Sequence, residues 1–406
     1  MKNDKDVVIV SGVRTPFGKY GGLMVNEISI KMAAEVIKEC LKRVNFPGDK
    51  VDEVFYGTCE PLEYGMYMNV PARQALILAG LPVSTVSMTL DTACCSSMDA
   101  ADLGTRSIKL GMSKAVLAVG ADNMPHQAYY LDPAPRWGGV RGDMILVDPM
   151  KRGGAYPLLG GTYIGVEAGQ CALENGVTRE LQDWWGFTSQ SRYAEAYKAG
   201  KFKEEMLPMK FKNEKGEIVT LEIDEQHRVT TMEKLAKLPT VYNGPTVTAG
   251  NAPGLNAGAS CNLLMTREMA KEYGIKPLGR IVAQARSAGI PYRMAEEPAR
   301  AITFALKKAN LSLDDMKLIE LNEAFAAVTL TSIKLLANKD EARMKALLEK
   351  TNVNGGAIAI GHPVGASAGR LMMTALYELR RRGGGYAVCS LCGGASQAAA
   401  TILEAE

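Results

Sequence analysis

The sequence predicts an α/β protein built from two halves of one plan, with a loop-rich domain inserted in the first. Strand-like and helix-like patterns alternate along most of the chain, which favours a mainly parallel sheet covered by helices on both faces. Each half repeats one order: an apolar strand, a special turn (91–97 or 361–367), a long helix, an apolar strand, then a polar or glycine turn (121–124 or 392–397). Between them, residues 124–242 change character and become rich in Gly, Pro and charged residues. The expected organisation is therefore 1–123 plus 243–275 as the first half, 124–242 as a loop domain, and 276–406 as the second half.

Taken in order, Val7–Ser11 is a short apolar strand, followed by the turn Arg14–Gly18. Ile28–Asn45 has apolar residues at helical spacing, and Val51–Gly57 reads as a second strand. Met68–Ala79 reads as a helix stopped by Gly80 and Pro82. The stretch Ser87–Asp91 alternates like a strand, two cysteines (Cys94, Cys95) occupy the turn after it, and a helix runs on to about Lys109. Ala115–Gly120 is a buried-type strand. Within the insertion, residues 129–154 are loop-like, Thr178–Ala199 is a polar amphipathic helix, and Thr246–Met265 returns to compact Gly/Ala-rich sequence. In the second half, strands are expected at Arg280–Ala288, Met316–Leu321, Ala357–Ile360, Tyr386–Leu391 and Ala398–Glu404. Helices are expected at Glu297–Ala309, Ala324–Ala337 and Ala366–Arg381.

The 406 residues are 47% hydrophobic and 22% charged, the composition of a globular chain. A net charge of +3 is too small to argue for nucleic acid, while leaving room for a local basic spot that holds an anionic ligand. The N-terminus leads straight into a strand, so no signal peptide is expected, and no apolar run reaches the ~20 residues of a membrane span. The C-terminus carries no targeting tripeptide, and a cytoplasmic location is expected. Cys389 and Cys392 have the spacing of half a zinc knuckle, yet the second ligand pair is missing, because the chain holds eight cysteines and only three histidines, none clustered with them. No metal site is expected, and the cysteines suit a reduced, intracellular protein.

The chemistry concentrates at strand ends, where ligands bind in such sheets. A thiol at the turn after Asp91 stands at a helix N-terminus, which stabilises a thiolate. The plainer alternative is a buried pair of small hydrophobes. His362 lies in a glycine-rich turn before a helix, a place for a base or for a histidine tied into the turn. Asn322 closes a strand and suits either an oxyanion donor or a helix cap. Cys392 puts a second thiol on a glycine turn with free backbone N–H groups. A cysteine and a histidine on comparable turns of the two halves make a nucleophile with its base.

The segments Asp91-Thr-Ala-Cys-Cys-Ser-Ser-Met98, Asn322-Glu-Ala-Phe325, Gly361-His-Pro363 and Leu391-Cys-Gly-Gly394, in that order, resemble the thiolases, the acyl-CoA C-acyltransferases. Val8–Phe17 and Thr246–Met265 resemble the family too, so the likeness runs through essentially the whole chain. It implies the thiolase fold, in which duplicated halves stack as α-β-α-β-α layers. It also implies an acyl-Cys94 intermediate, with His362 activating the thiol and Asn322 holding a water that polarises the thioester oxygen. Cys392 would move the proton at the α-carbon, and the N–H groups of Cys94 and Gly394 would form a second oxyanion hole. Coenzyme A enters as co-substrate, with no bound cofactor. Arg228, Ala252 and Gly254 match positions at its binding site, and a β-ketoacyl-CoA is the other substrate. The family is usually dimeric or tetrameric, so a homodimer or homotetramer is expected, and some relatives also bind a small zinc-containing subunit.

Several positions depart from the family pattern. Asp91 replaces a common Asn, Tyr163-Ile-Gly165 a common His-Met-Gly, Pro253 a frequent Ser, and Met294-Ala-Glu-Glu-Pro298 a Met-Gly-x-Gly-Pro. Asp91, Tyr163 and Met294 are thus candidate pocket residues, and a β-ketoacyl-CoA bulkier or more polar than acetoacetyl-CoA is expected, such as an aryl-substituted or carboxylated one. Asp-Thr-Ala-Cys also suggests a ketosynthase, but Cys392 and Asn-Glu-Ala-Phe argue against that. A non-catalytic CoA- or partner-binding subunit would not need the intact Cys/Asn/His/Cys set.

Overall fold

The computed structural model describes residues 3–59, 63, 69–131, 143–152, 157–213 and 215–406. Its centre is a nine-stranded sheet. From one edge to the other the strands are Met316–Leu321, Gly385–Gly393, Gln397–Ala405, Gly279–Ala288, Val7–Arg14, Ala257–Thr266, Ala115–Asn123, Glu53–Gly57 and Val86–Leu90. The two halves meet where Val7–Arg14 pairs with Gly279–Ala288 through a short register, Val8 opposite Arg280 and Ile9 opposite Gly279.

The strands are apolar on both faces, and the two-residue side-chain period sorts those faces into different cores. Val8 and Val10 pack with the outer helices Ser29–Lys42 and Pro71–Leu78, whereas Val7 and Ile9 face the inner helices Ser96–Lys109 and Val364–Arg381. In Gly385–Gly393 the same rule sends Cys389 and Leu391 inward, and Val388 and Cys392 outward toward Glu297–Ala309 and Ala326–Leu336. The two halves of the sheet thus alternate with helices in the order helix, half-sheet, helix, half-sheet, helix. The inner pair of helices comes one from each half, and the stretch Gly365–Leu379 of the second is buried throughout. Small residues at its start permit close approach. A Cβ on Gly120 would lie 2.1 Å from the Gly365 carbonyl oxygen, so only glycine fits there.

Two expectations are corrected. The sheet is mixed rather than mainly parallel. Parallel pairing is confined to the two ends, Val86–Leu90 with Glu53–Gly57 and Ala115–Asn123, and Met316–Leu321 with Gly385–Gly393. Around the junction of the halves every pairing is antiparallel. The reason is topological: the tight connection after Gly393 makes a hairpin, and the insertion returns its chain beside the strand it left. Second, Ala357–Ile360 is a short helix, not a strand. Gly355 and Gly361 flank it at φ 82° and 111°, and four buried apolar residues carry no period that separates helix from strand. The His362 turn therefore follows a helix.

The chain leaves the sheet at Asn123 and returns to it at Ala257, and the expected insertion 124–242 lies within that excursion. It carries the helices Ile164–Glu174, which its loop-like character did not suggest, and Arg179–Lys198, and it packs on the second half: Ala168, Cys171 and Trp185 join the core of Ile302, Leu330 and Ile333. It is also anchored to the first strand. Arg14 is fully buried, with Nε 2.6 Å from Glu205 and Nη1 2.6 Å from Asp224. The helix Glu341–Glu349 was likewise unanticipated. The expected helix start at Met68 and the expected loop at 132–142 and 153–154 lie outside the described residues. No helix among the described residues is long and apolar enough to cross a membrane.

Candidate active site

Strand Val86–Leu90 ends at Asp91, whose Oδ1 accepts the Ala93 backbone N–H at 2.8 Å. That short ring turns the chain and holds Ala93 at φ 53°. Ser96 Oγ tightens the turn, accepting from Thr92 N and donating to the Ala93 carbonyl. Cys94 is thereby lifted, partly exposed, ahead of the helix Ser96–Lys109. Asp91 thus has a conformational task that its carboxylate performs as an Asn would. Cys95 points the other way: it is fully buried, its thiol directed at the Leu391 carbonyl, and burial holds that thiol well above its ordinary pKa.

His362 Nε2 lies 3.2 Å from Cys94 Sγ. Its ring is fixed from behind by Ser367, whose Oγ is 2.6 Å from Nδ1 and also donates to the Pro363 carbonyl at 2.7 Å. A hydroxyl has one proton to give, so Nδ1–H donates to Ser367 and the Nε2 lone pair faces the Cys94 thiol. His362 is 7% exposed, and its backbone N–H is held by Asn256 Oδ1 at 2.8 Å. Asn322 Nδ2 lies 3.4 Å from the same Nε2, and the Asn322 carboxamide oxygen is buried without a protein partner among the described residues. An acceptor is therefore available there to a water or a substrate donor.

Cys392 ends strand Gly385–Gly393, fully buried beneath Cys94. Its thiol is a hydrogen-bond partner of the Cys94 sulfur. That bond is the largest cause holding Cys94 well below the ordinary thiol range, with the field of His362 adding to it against the effect of burial. The same bond, and then burial, push Cys392 well above that range. One thiol is poised as thiolate and its neighbour as acid. Gly393 permits this closeness, since a Cβ there would sit 2.8 Å from Cys95 Sγ.

Removing the donor has a calculable sign. Cys392→Ala takes away the largest stabiliser of the Cys94 thiolate, so the Cys94 pKa rises toward its ordinary value. Alkylation of Cys94 by iodoacetamide, read as the mass of its peptide against pH, is expected to shift its midpoint upward and to slow at neutral pH. An unmoved midpoint would refute the role given to Cys392.

Residues outside the expected set hold these parts in register. Glu323, next to Asn322, accepts from Trp185 Nε1 (3.0 Å), Ser189 Oγ (2.7 Å), Asn352 Nδ2 (2.9 Å) and Ile358 N (3.1 Å). Asp122 accepts from Thr58 Oγ1 (2.5 Å), Cys59 N (3.1 Å) and the Gly365 N–H at the start of the His362 helix. Glu323 stands beside Asn322 and Asp122 in the polar turn after Gly120, but their partners lie far off in sequence, so local pattern does not reveal the role.

Cys94 and His362 open on a cavity of about 690 Å³. Asp91, Tyr163, Ala252, Gly254, Met294 and Gly394 all line it, while Cys392 and Asn322 lie just behind its wall. The rings of Tyr163 and Tyr242 stack 4.0 Å apart at 10°, forming a flat aromatic wall. Phe325 and Met294 complete a largely apolar lining. Arg228 is not among the lining residues: its guanidinium donates to the carbonyl of Ala249, which is.

The whole chain is similar to known proteins of one family. Residues 7–268 match the family model described as thiolase, N-terminal domain, and residues 275–405 that of thiolase, C-terminal domain. An acetyl-CoA acetyltransferase of Syntrophomonas wolfei subsp. wolfei is 39% identical over 406 residues, covering 99% of both chains. One from Pseudomonas aeruginosa is 39% identical over 401 residues, covering 98% of this chain and 99% of its own. Among solved structures, human mitochondrial 3-ketoacyl-CoA thiolase in complex with CoA superposes with a TM-score of 0.91 at 34% identity, covering 99% of this chain and 98% of that one. The Bacillus anthracis acetyl-CoA acetyltransferase gives 0.92 at 34% identity, with 99% of each chain covered.

Proposed function

This chain belongs to the thiolase family, and from that premise we propose that it cleaves a β-ketoacyl-CoA with coenzyme A, or runs the reverse condensation, through an acyl group carried on Cys94. The observation that carries the reading is the 3.2 Å contact of Cys94 Sγ with a His362 whose free lone pair faces it, beside a second thiol of opposite bias. His362 Nε2 takes the Cys94 proton, and the thiolate attacks the β-ketone carbon. The bond between that carbon and the α-carbon breaks, leaving the enolate of acetyl-CoA, which takes the Cys392 proton. In the second stage the Cys392 thiolate accepts the proton of the CoA thiol. The CoA sulfur then attacks the acyl-Cys94 thioester, releasing acyl-CoA and restoring Cys94. Charge on the carbonyl oxygens is met by Asn322 and His362 in one step and by the N–H groups of Cys94 and Gly394 in the other. Arg228, with the Ala252–Gly254 loop, is the proposed seat of CoA.

The relatives' name, acetyl-CoA acetyltransferase, supports acetyl-CoA as one partner in the reaction. For the other acyl group we favour one larger than acetyl, with an aryl ring as the leading choice. The stacked Tyr163–Tyr242 wall and the apolar lining offer a planar group a surface to lie on. Thiolysis of benzoylacetyl-CoA and acetoacetyl-CoA, compared by kcat/KM, tests this: the aryl substrate is expected to be cleaved faster, and faster cleavage of acetoacetyl-CoA would overturn the preference while leaving the reaction class intact.

A homodimer or homotetramer is the assembly we favour. Val86–Leu90 is an edge strand carrying exposed Val86 and Met88, a surface suited to pairing with a second copy. The eight free cysteines fit a reducing compartment such as the cytoplasm.

A further inference from the structure

Glu167 stands in the first turn of the helix Ile164–Glu174 and lines the Cys94 cavity together with Tyr163, Val241 and Tyr242. It is 8% exposed. Its Oε1 accepts the Thr162 backbone N–H at 2.8 Å. Oε2 has no partner among the described residues, nor does any cation there pair with the group, yet this oxygen is not sealed off. The other carboxylate of the lining, Asp91, is solvent-exposed and has its turn to hold. The Thr162 bond explains why an acid suits the helix start, but it uses one oxygen only. The second leaves an acceptor on the wall of a largely apolar pocket.

A ligand that fills the cavity takes this oxygen out of solvent, so one that supplies a donor is favoured over one that leaves the acceptor unpaired. Sites of this kind discriminate more sharply than apolar walls do, because the wrong ligand leaves the polar group unpaired. A second carboxylate brought to the same place would meet like charge at low dielectric. Burial, which raises the Glu167 carboxyl above its ordinary value, shows how little the surroundings offset its charge.

We infer that Glu167 is a specificity-determining residue of the acyl pocket, selecting β-ketoacyl-CoA substrates whose acyl group carries a hydrogen-bond donor and rejecting those that end in a carboxylate. The inference rests on the thiolase reading of the Cys94 site. Of the two enlargements suggested by the sequence, it keeps the aryl group, particularly a hydroxylated one, and removes the carboxylated group.

The test uses chains of equal length: 3-oxohexanoyl-CoA, 5-hydroxy-3-oxohexanoyl-CoA and 3-oxoadipyl-CoA, each cleaved with CoA by the wild type, Glu167→Gln and Glu167→Ala. Ratios of kcat/KM between substrates cancel any general loss of active enzyme. The wild type is expected to prefer the hydroxylated chain and to discriminate against the carboxylated one. Glu167→Gln is expected to relieve the discrimination against 3-oxoadipyl-CoA about tenfold, and Glu167→Ala to erase the preference for the hydroxyl as well. Ratios identical in all three proteins would overturn the inference and leave the thiolase reading standing. A wild type that cleaves none of the three chains would overturn both.

Discussion

Cys94→Ala is expected to lower thiolysis of any β-ketoacyl-CoA by at least about four orders of magnitude, with the fold unchanged. The size follows from the lack of a substitute. Cys95 is the neighbour in sequence, but it is buried, faces the Leu391 carbonyl, and is held protonated. Cys392 is the neighbour in space, but its bond to Cys94 and then burial hold it as the thiol, and it lies behind the cavity wall. Without Cys94 the pocket still binds and polarises the substrate, yet no group can carry the acyl chain. Steady-state thiolysis monitored at the β-ketoacyl-CoA absorbance measures the loss. Retention of more than a hundredth of the wild-type rate would assign the nucleophile elsewhere.

Arg14→Leu is expected to destabilise the chain by about 3–5 kcal/mol. Glu205 and Asp224 face the Arg14 guanidinium at 1% and 0% side-chain exposure, so its removal leaves two uncompensated carboxylates in the interior. Tyr193 and Thr374 are bonded to those carboxylates, and the disturbance therefore reaches the insertion and the inner helix together. Burial works against the charge on Arg14, but Asp224 and Glu205 outweigh it and raise its pKa, so the pair does not escape by neutralising the arginine. A lower urea midpoint is the expected reading, and an unshifted one would show that the cluster contributes little.

The sequence made the order of elements readable because each main strand is a short apolar run bounded by turn residues, and the outer helices Ser29–Lys42 and Glu297–Ala309 carry a one-sided apolar stripe. It did not reveal strand direction. Direction depends on whether a connection crosses the sheet or folds back, and the return of the long insertion beside its own exit is invisible to local pattern. Ala357–Ile360 failed for a related reason, since a run buried on all sides shows no period. The proposed reacting groups could be singled out because Cys94, Asn322, His362 and Cys392 each sit inside a short contiguous motif. Ser367, Asn256, Asp122 and Glu323 could not, because their work appears only when distant turns meet: Asp122 reaches Gly365, and Glu323 reaches Trp185 and Ile358. Asp91, the least typical residue of the nucleophile turn, is accounted for by its bond to Ala93, which moves the substrate question from that turn to the far wall of the pocket.

The most direct test mixes the protein with a β-ketoacyl-CoA in the absence of free CoA, digests it, and weighs the peptide that contains Cys94. The expected result is a gain equal to the acyl group, confined to that peptide and lost on addition of CoA. An unmodified Cys94 peptide, or an acyl group found on another cysteine, would contradict an acyl-Cys94 thiolase.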